Sequence, residues 1–369
     1  MKPFVPEPLP IKNIGWKELV PDIGRANRAL ATFEGIMHGI PNPNVLLSPL
    51  TTQEAVMSSK IEGTRTNLEE VLKYDAGEKI TDESRRQDVQ EVVNYRRALR
   101  EAEFLLKKRP FNLNMLKRFH EILMDSVRGH DKGKGRLRTI QNWIGRKGTS
   151  IETAEYVPPA PLSIMEHLGR WERYYHEDEP DPLVQLAVVH AQFEIIHPFV
   201  DGNGRIGRML VPLFLFEKGL LSRPTFYLSS FFERERGEYV GLLRGITRTG
   251  GWTGWIKFFL GAISVQAKEN TDKARNIQEL YERLKKRSIG ITHSQYAVPV
   301  LDQIFRQPIF NSKFLVSSKG MPSTPMLMTI LNRMSENGVL KVIQRGRGRR
   351  PQIFALREQI NLCEGRKVF

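Results

Sequence analysis

The sequence predicts a mostly α-helical protein with a small mixed domain at its C-terminal end. Three observations carry that expectation. Apolar residues recur at helical spacing over most of residues 25–265. Two apolar runs, 183–196 and 209–216, flank a polar, glycine-rich stretch at 197–208, so that stretch is a loop between two buried helices. After residue 290 the pattern becomes helix, turn, helix and then a hairpin with a basic tip.

The loop concentrates chemistry. It reads His197-Pro198-Phe199-Val200-Asp201-Gly202-Asn203-Gly204-Arg205-Ile206-Gly207-Arg208. Gly202 and Gly204 reach backbone angles closed to other residues, so their N–H groups can converge beside the free amides of the next helix's first turn. Such a nest holds phosphate. Arg205 and Arg208 are three apart at the start of that helix, share a face, and can grip phosphate oxygens as bidentate donors. Asp201 suits a Mg2+ ion held by one carboxylate and by substrate phosphates. His197, at the mouth of the loop, can take a proton from an attacking group. Together these parts describe phosphoryl or nucleotidyl transfer from a Mg-bound nucleotide. A lone histidine in a Gly-rich loop is more often structural, but here all the distinct parts fall within twelve residues.

The stretch resembles, position for position, the Fic motif H-P-F-x-D/E-G-N-G-R-x-x-R. The resemblance implies a Fic-type helical bundle, most of whose members transfer AMP from ATP to a hydroxyl side chain of a target protein. By that resemblance His197 is the general base, Asp201 holds Mg2+, and Gly202, Asn203 and Gly204 form the anion hole. Arg205 and Arg208 grip the β- and γ-phosphates.

Composition sets the frame. The chain has 369 residues, enough for two or three domains, and a formal charge of +15, which suits nucleotide, nucleic acid or an acidic protein. Cys363 is the only cysteine, which excludes an intrachain disulfide and a cysteine zinc cluster. The first residues are proline-rich without an apolar signal core, and no apolar run approaches a membrane span. A cytoplasmic protein with no membrane association is the simplest expectation.

In chain order, residues 1–24 read as extended and residues 25–38 as a helix with Leu30, Phe33, Ile36 and Met37 as its apolar stripe. Thr51 and Glu54 offer a capping box for a short helix that ends at Glu62, before Gly63. Ser58 and Glu62, four apart, lie on one face, which by spacing alone is an ordinary surface pair. The stretch also looks like the Fic inhibitory signature S/T-x-x-x-E-G/N. That resemblance implies Glu62 against Arg208, competing with the ATP γ-phosphate for one guanidinium. Residues 69–107 carry long helical patterns, with Val89, Val92, Val93, Leu99, Phe104 and Leu105 as core stripes, and residues 113–124 another. His120 within the latter reads as a packed or surface histidine.

Residues 138–145 and 156–159 look like the arms of a β-hairpin, and the resemblance implies a flap there (about 138–160) on which the target protein docks. Residues 164–176 are helical, and Asp181 caps the next helix with Pro182 at its first position. His190 reads as a hydrogen-bonded core histidine. Tyr239, in a Tyr-x-x-Leu-Leu stretch, is by resemblance the partner of the adenine ring. Residues 252–265 form an apolar helix and residues 265–287 a solvated connecting helix.

The C-terminal pattern resembles a winged helix, with residues 323–337 as recognition helix and the arginine run at 345–350 as wing, for contact with DNA or with protein. The expected organisation is an N-terminal helical region at 1–110 with the inhibitory helix at about 51–63. A catalytic core at 111–268, a connecting helix at 269–289 and a winged helix at 290–369 follow. A homodimer is possible. The expected function is a protein adenylyltransferase using Mg-ATP on Ser, Thr or Tyr and restrained by Glu62. The alternatives are AMP removal or another nucleotidyl transfer on the same fold, or a DNA-binding regulator that senses nucleotide.

Overall fold

The structure is a computed structural model and describes residues 2–125, 133–145, 148–347 and 351–368, apart from the side chain of Asn44. Its helices are α1 Trp16–Gly39, α2 Pro43–Leu46, α3 Ser48–Ile61, α4 Leu68–Asp75, α5 Glu83–Leu106, α6 Leu113–Leu123, α7 Ile164–His176, α8 Pro182–Ile196, α9 Asn203–Glu217, α10 Ser229–Arg234, α11 Arg236–Thr249, α12 Trp252–Thr292, α13 Ala297–Arg306, α14 Ser312–Val316, α15 Thr324–Glu336 and α16 Arg357–Glu364. The strands are β1 Ile309–Asn311, β2 Lys341–Gln344 and β3 Ile353–Ala355. The protein is therefore mostly α, as expected. Among the described residues no helix is long and apolar enough to cross a membrane.

Two compact units interleave along the chain. One gathers Met1–Glu34, Met57–Thr64 and Asn94–Lys268, and the other Gly35–Val56, Arg65–Val93 and Glu269–Phe369. The sequence reading divides the chain into consecutive blocks. The units depart from chain order because α2 packs on α13, and α4 on β1 and α16.

The first unit is built on α8. Its residues 183–193 are all buried, so it is enclosed on every face and forms the centre of the unit. Helices α7, α9 and α11 pack around it. The indoles of Trp171 and Trp255 donate to the Val189 and Ala187 carbonyls of α8. Asp181 caps α8 as expected: its Oδ1 accepts the Leu183 and Val184 amides at 2.9 and 3.0 Å. Helix α7 also has the expected limits.

Four local expectations are corrected. Helix α1 begins at Trp16 rather than near residue 25, and carries Pro21 inside it, which leaves the Lys17 carbonyl without its helical donor. Helix α3 begins at Ser48, so Thr51 and Glu54 lie within it and form no capping box; among the described helices the box is built at Asn67 and Glu70, at the start of α4. Val89, Val92 and Leu99 are buried on α5 as expected, whereas Phe104 is 54% exposed, with the Lys108 ammonium 3.7 Å from its ring centre. Solvent plus a cation–π contact serves that ring at the helix end. The apolar helix and the charged connector are one continuous helix, α12. Its charged part is not merely solvated, since Ala274, Ile277, Leu284 and Ser288 make a buried stripe.

The flap region pairs less than its extended look suggested. Among the described residues one bridge, Ile144 to Tyr156, joins the two arms. Pro158 and Pro159 have no N–H to extend a ladder. Side chains bind the arms instead: Gln141 donates to the Pro158 carbonyl at 2.9 Å and Arg138 to the Pro159 carbonyl at 2.6 Å.

In the second unit, three antiparallel strands lie in the order β1-β3-β2. Phe310 pairs with Phe354 in register, and their rings stack at 5.6 Å. A bulge between Val342 and Gln344 interrupts the β2 ladder. Strand β1 and helix α14 are additional to the elements read from sequence; Asn311 links them by accepting the Phe314 amide. Of the basic turn, residues 348–350 lie outside the described residues.

Candidate active site

The site forms where α8 ends and α9 begins. His197 terminates α8 in the left-handed region, φ 48° and ψ 60°. A non-glycine residue rarely adopts that conformation, and local bonds must hold it there. Arg138 supplies them. Its backbone N–H donates to the Pro198 carbonyl at 2.9 Å and its Nε to the His197 carbonyl at 2.9 Å. Gly202 follows at φ 81° and leads into α9. Its amide donates to Asp201 Oδ1 at 2.6 Å.

Asn203 closes the loop with its side chain, accepting the Phe199 amide and donating to the Phe199 carbonyl, both at 2.9 Å. Its carboxamide is therefore committed to the loop, and backbone amides of the first turn of α9 are what the helix N-terminus offers an anion. Gly204 permits a close approach: a Cβ there would overlap Glu62 Oε1 and lie 2.8 Å from Arg208 Nη1.

The two arginines turn to different partners. Arg205 is buried, with Nη2 3.4 Å from Asp201 Oδ1 and 3.8 Å from Met124 Sδ. Arg208 is buried as well and faces α3. Its Nε donates to Ser58 Oγ at 3.0 Å, and Nη2 donates to the Ser58 carbonyl at 2.8 Å and to Glu62 Oε1 at 2.7 Å. Ser58 and Glu62 thus meet Arg208 across 150 and 146 residues of sequence. Burial works to raise the Glu62 carboxyl, but Arg208 prevails and holds it below the usual carboxylate range. The Glu62 side chain keeps 39% of its surface open.

A cavity of about 420 Å3 opens beside this pair, bordered by Glu62, Glu194, His197, Gly204, Arg208 and Tyr239. Trp143, Ile144 and Tyr156 of the flap region border it from another side. Burial lowers the His197 imidazole to about 4, so it is neutral at physiological pH. Its Nδ1 is buried on the α8 side, which leaves Nε2 as the nitrogen for proton transfer. Tyr239 is buried at the cavity wall, its ring stacked 4.7 Å from Phe232. Its hydroxyl lies 2.9 Å from His190 Nε2, and His190 Nδ1 lies 3.0 Å from the Gly207 carbonyl. That carbonyl only accepts, so Nδ1 carries the proton and Tyr239 donates to Nε2. His190 is the hydrogen-bonded core histidine the sequence suggested.

A metal at the loop would find the Asp201 carboxylate. Among the described residues no group of three His, Cys, Asp or Glu is placed to hold a metal ion. Asp201 keeps 35% of its side chain exposed at the loop, beside the α9 N-terminus. This donor set fits a hard cation bound through one carboxylate, with phosphate oxygens and water as its other ligands.

Sequence reasoning overlooked two contributors. Arg138 holds both the His197 turn and the flap arm; the Gly135-x-x-Arg138 spacing was its only signal. Glu194 is a buried carboxyl on the cavity wall that burial pushes up to about 7, signalled by one acid in an otherwise apolar run.

Comparison with known proteins agrees with this geometry. The Fic/DOC family N-terminal pattern matches residues 20–103, and the Fic/DOC family pattern matches residues 110–215. A probable protein adenylyltransferase of Aquifex aeolicus is 27% identical over 261 residues, which cover 64% of this chain and 74% of that protein. A protein adenylyltransferase of Caenorhabditis elegans is 32% identical over 88 residues, 23% of this chain and only 16% of that protein's length. A Fic family protein from Desulfovibrio desulfuricans G20 shares the fold with a TM-score of 0.58 at 21% identity, covering 95% of this chain and 98% of its own. Two adjoining family segments, and a loop intact from His197 to Arg208 at the junction of α8 and α9, lead to one conclusion: the chain belongs to the Fic/DOC family.

Proposed function

We propose that this protein transfers AMP from Mg-bound ATP to a Ser, Thr or Tyr hydroxyl of a target protein, and that Glu62 restrains the reaction. One observation carries the reading: the His197 imidazole, the α9 N-terminus and the Glu62–Arg208 pair border one cavity. In the reaction the target hydroxyl oxygen bonds to the α-phosphorus and the bond from that phosphorus to the bridging oxygen of pyrophosphate breaks. Neutral His197 takes the hydroxyl proton at Nε2. The backbone amides at the start of α9 and the Arg205 and Arg208 guanidiniums receive the phosphates. A Mg2+ ion at Asp201 neutralises phosphate charge when bound. Tyr239 faces the adenine from α11, and the target's extended segment lies along the flap. The relatives named adenylyltransferases support the reaction class.

The test is incubation with ATP labelled on the α-phosphate, Mg2+ and a lysate of the source cell, with His197→Ala as control. Label transferred to protein only by the parent supports the reading. Label lost from a pre-modified target, with none gained, points to AMP removal. Nucleotide bound without turnover points to a sensor.

The order α13, β1, α14, α15, β2, β3, with β3 central in the sheet, supports a winged helix in the second unit. In that reading α15 is the recognition helix and the arginine run at 345–350 the wing, whose charge suits phosphate.

A further inference from the structure

His120 stands outside the motif and has no part in the proton transfer described above. It is fully buried on α6. Its ring stacks on Phe199 of the loop, centroids 3.8 Å apart and planes 5° from parallel. Its Nε2 lies 3.0 Å from the Asp201 carbonyl, and its Nδ1 accepts the Gly135 amide at 3.0 Å. These partners fix the tautomer. The Gly135 N–H can only donate and the Asp201 carbonyl can only accept, so Nδ1 is bare and Nε2 carries the proton. One ring is therefore saturated by two backbone groups 66 residues apart, one at the base of the flap and one in the loop.

Both segments that hold the ring pack closely on α6. A Cβ on Gly202 would lie 2.9 Å from Met124 Sδ and 3.5 Å from His120 Nε2, so the loop rests directly on the end of α6. A Cβ on Gly135 would lie 3.2 Å from both Glu121 Cβ and the Lys117 carbonyl, so the flap base rests on the same helix. Buried polar groups satisfied on both sides specify a single arrangement.

We propose that His120 is a positioning residue: it pins the Asp201 backbone and the flap base to α6, and so aims the Asp201 carboxylate. The proposal rests on the reading of Asp201 as the metal-holding carboxylate. A histidine that merely fills space would be replaced by a ring of similar size. A positioning histidine would be replaced only by a group that reaches the same atoms. A Gln amide nitrogen reaches the place of Nε2 and can donate to the Asp201 carbonyl. An Asn carbonyl reaches the place of Nδ1 and can accept from Gly135 only.

The test compares His120→Phe, His120→Asn and His120→Gln in the full chain. Hydrogen exchange followed by mass spectrometry reads the 133–142 and 199–204 segments without nucleotide. ATP binding is measured by calorimetry with Mg2+ and with EDTA. His120→Phe should exchange faster in both segments and bind Mg-ATP on the order of tenfold more weakly, with binding in EDTA unchanged. His120→Gln should recover Mg-dependent binding, and His120→Asn should recover only the protection of 133–142. Parental exchange in His120→Phe, or equal behaviour of Asn and Gln, would overturn the proposal. The exchange arm needs no ATP, so a failure of the AMP-transfer reading stays distinguishable from a failure of this one.

Discussion

Replacing Glu62 by Gly is the sharpest perturbation the site offers. Glu62 holds Arg208 through one charge-assisted bond at 2.7 Å, while Ser58 supplies two more bonds that the substitution leaves in place. A bond of this kind contributes about 1.5–3 kcal/mol. The Glu62 side chain is 39% exposed, so solvent screening reduces that to about 1–2 kcal/mol. At about 1.4 kcal/mol per factor of ten, removal should raise AMP transfer by about 5- to 30-fold. The cost to stability is small, because Glu62 lies just past the end of α3 and precedes Gly63, already in a turn at φ 99°. The gain should appear in turnover more than in ATP affinity, since in the proposed restraint the carboxylate would misplace the γ-phosphate rather than close the cavity. Glu62→Gln, which keeps the shape and loses the charge, should fall between parent and Glu62→Gly. The assay is the initial rate of label incorporation from α-labelled ATP at matched Mg2+ and protein. Equal rates for parent and Glu62→Gly would refute the reasoning and leave Glu62 as a structural partner of Arg208.

Three further outcomes follow from the geometry. His197→Ala should slow transfer by about 10²- to 10⁴-fold with ATP binding retained. Because burial lowers the parent imidazole to about 4, the unprotonated base persists through the neutral range, and the rate should fall only as pH drops toward about 4; an inflection near 6.5 in the pH–rate profile would refute this. Arg138→Ala strips donors from the His197 and Pro159 carbonyls and should cost about 2–3 kcal/mol in chemical denaturation. Arg138→Lys should not restore it, because one ammonium cannot span the same carbonyls. Duplex DNA retardation should weaken steeply with salt, and Arg347→Ala with Arg349→Ala should lower the salt slope by about two contacts. No retardation at low salt would favour a protein partner for the second unit.

The sequence alone determined what is local. The chemistry of residues 197–208 is contiguous, so its histidine, carboxylate, glycines and guanidiniums were legible without coordinates. The Asp181–Pro182 start of α8 was legible for the same reason, since a cap and its amides lie within three residues. The pairing of Glu62 with Arg208 was available only through resemblance, because spacing on α3 says nothing of a partner 146 residues away. Tertiary structure decided the rest. It set which way each arginine turns, since two side chains on one helix face can serve different neighbours. It gave Arg138 and His120 their partners, because buried guanidinium and imidazole groups take whatever carbonyls and amides the packing brings within reach. It added β1, three residues too short for any alternation to show, and it joined α2 and α4 to the C-terminal elements. Apolar faces choose partners by shape and burial, and neither is written in the order of the chain.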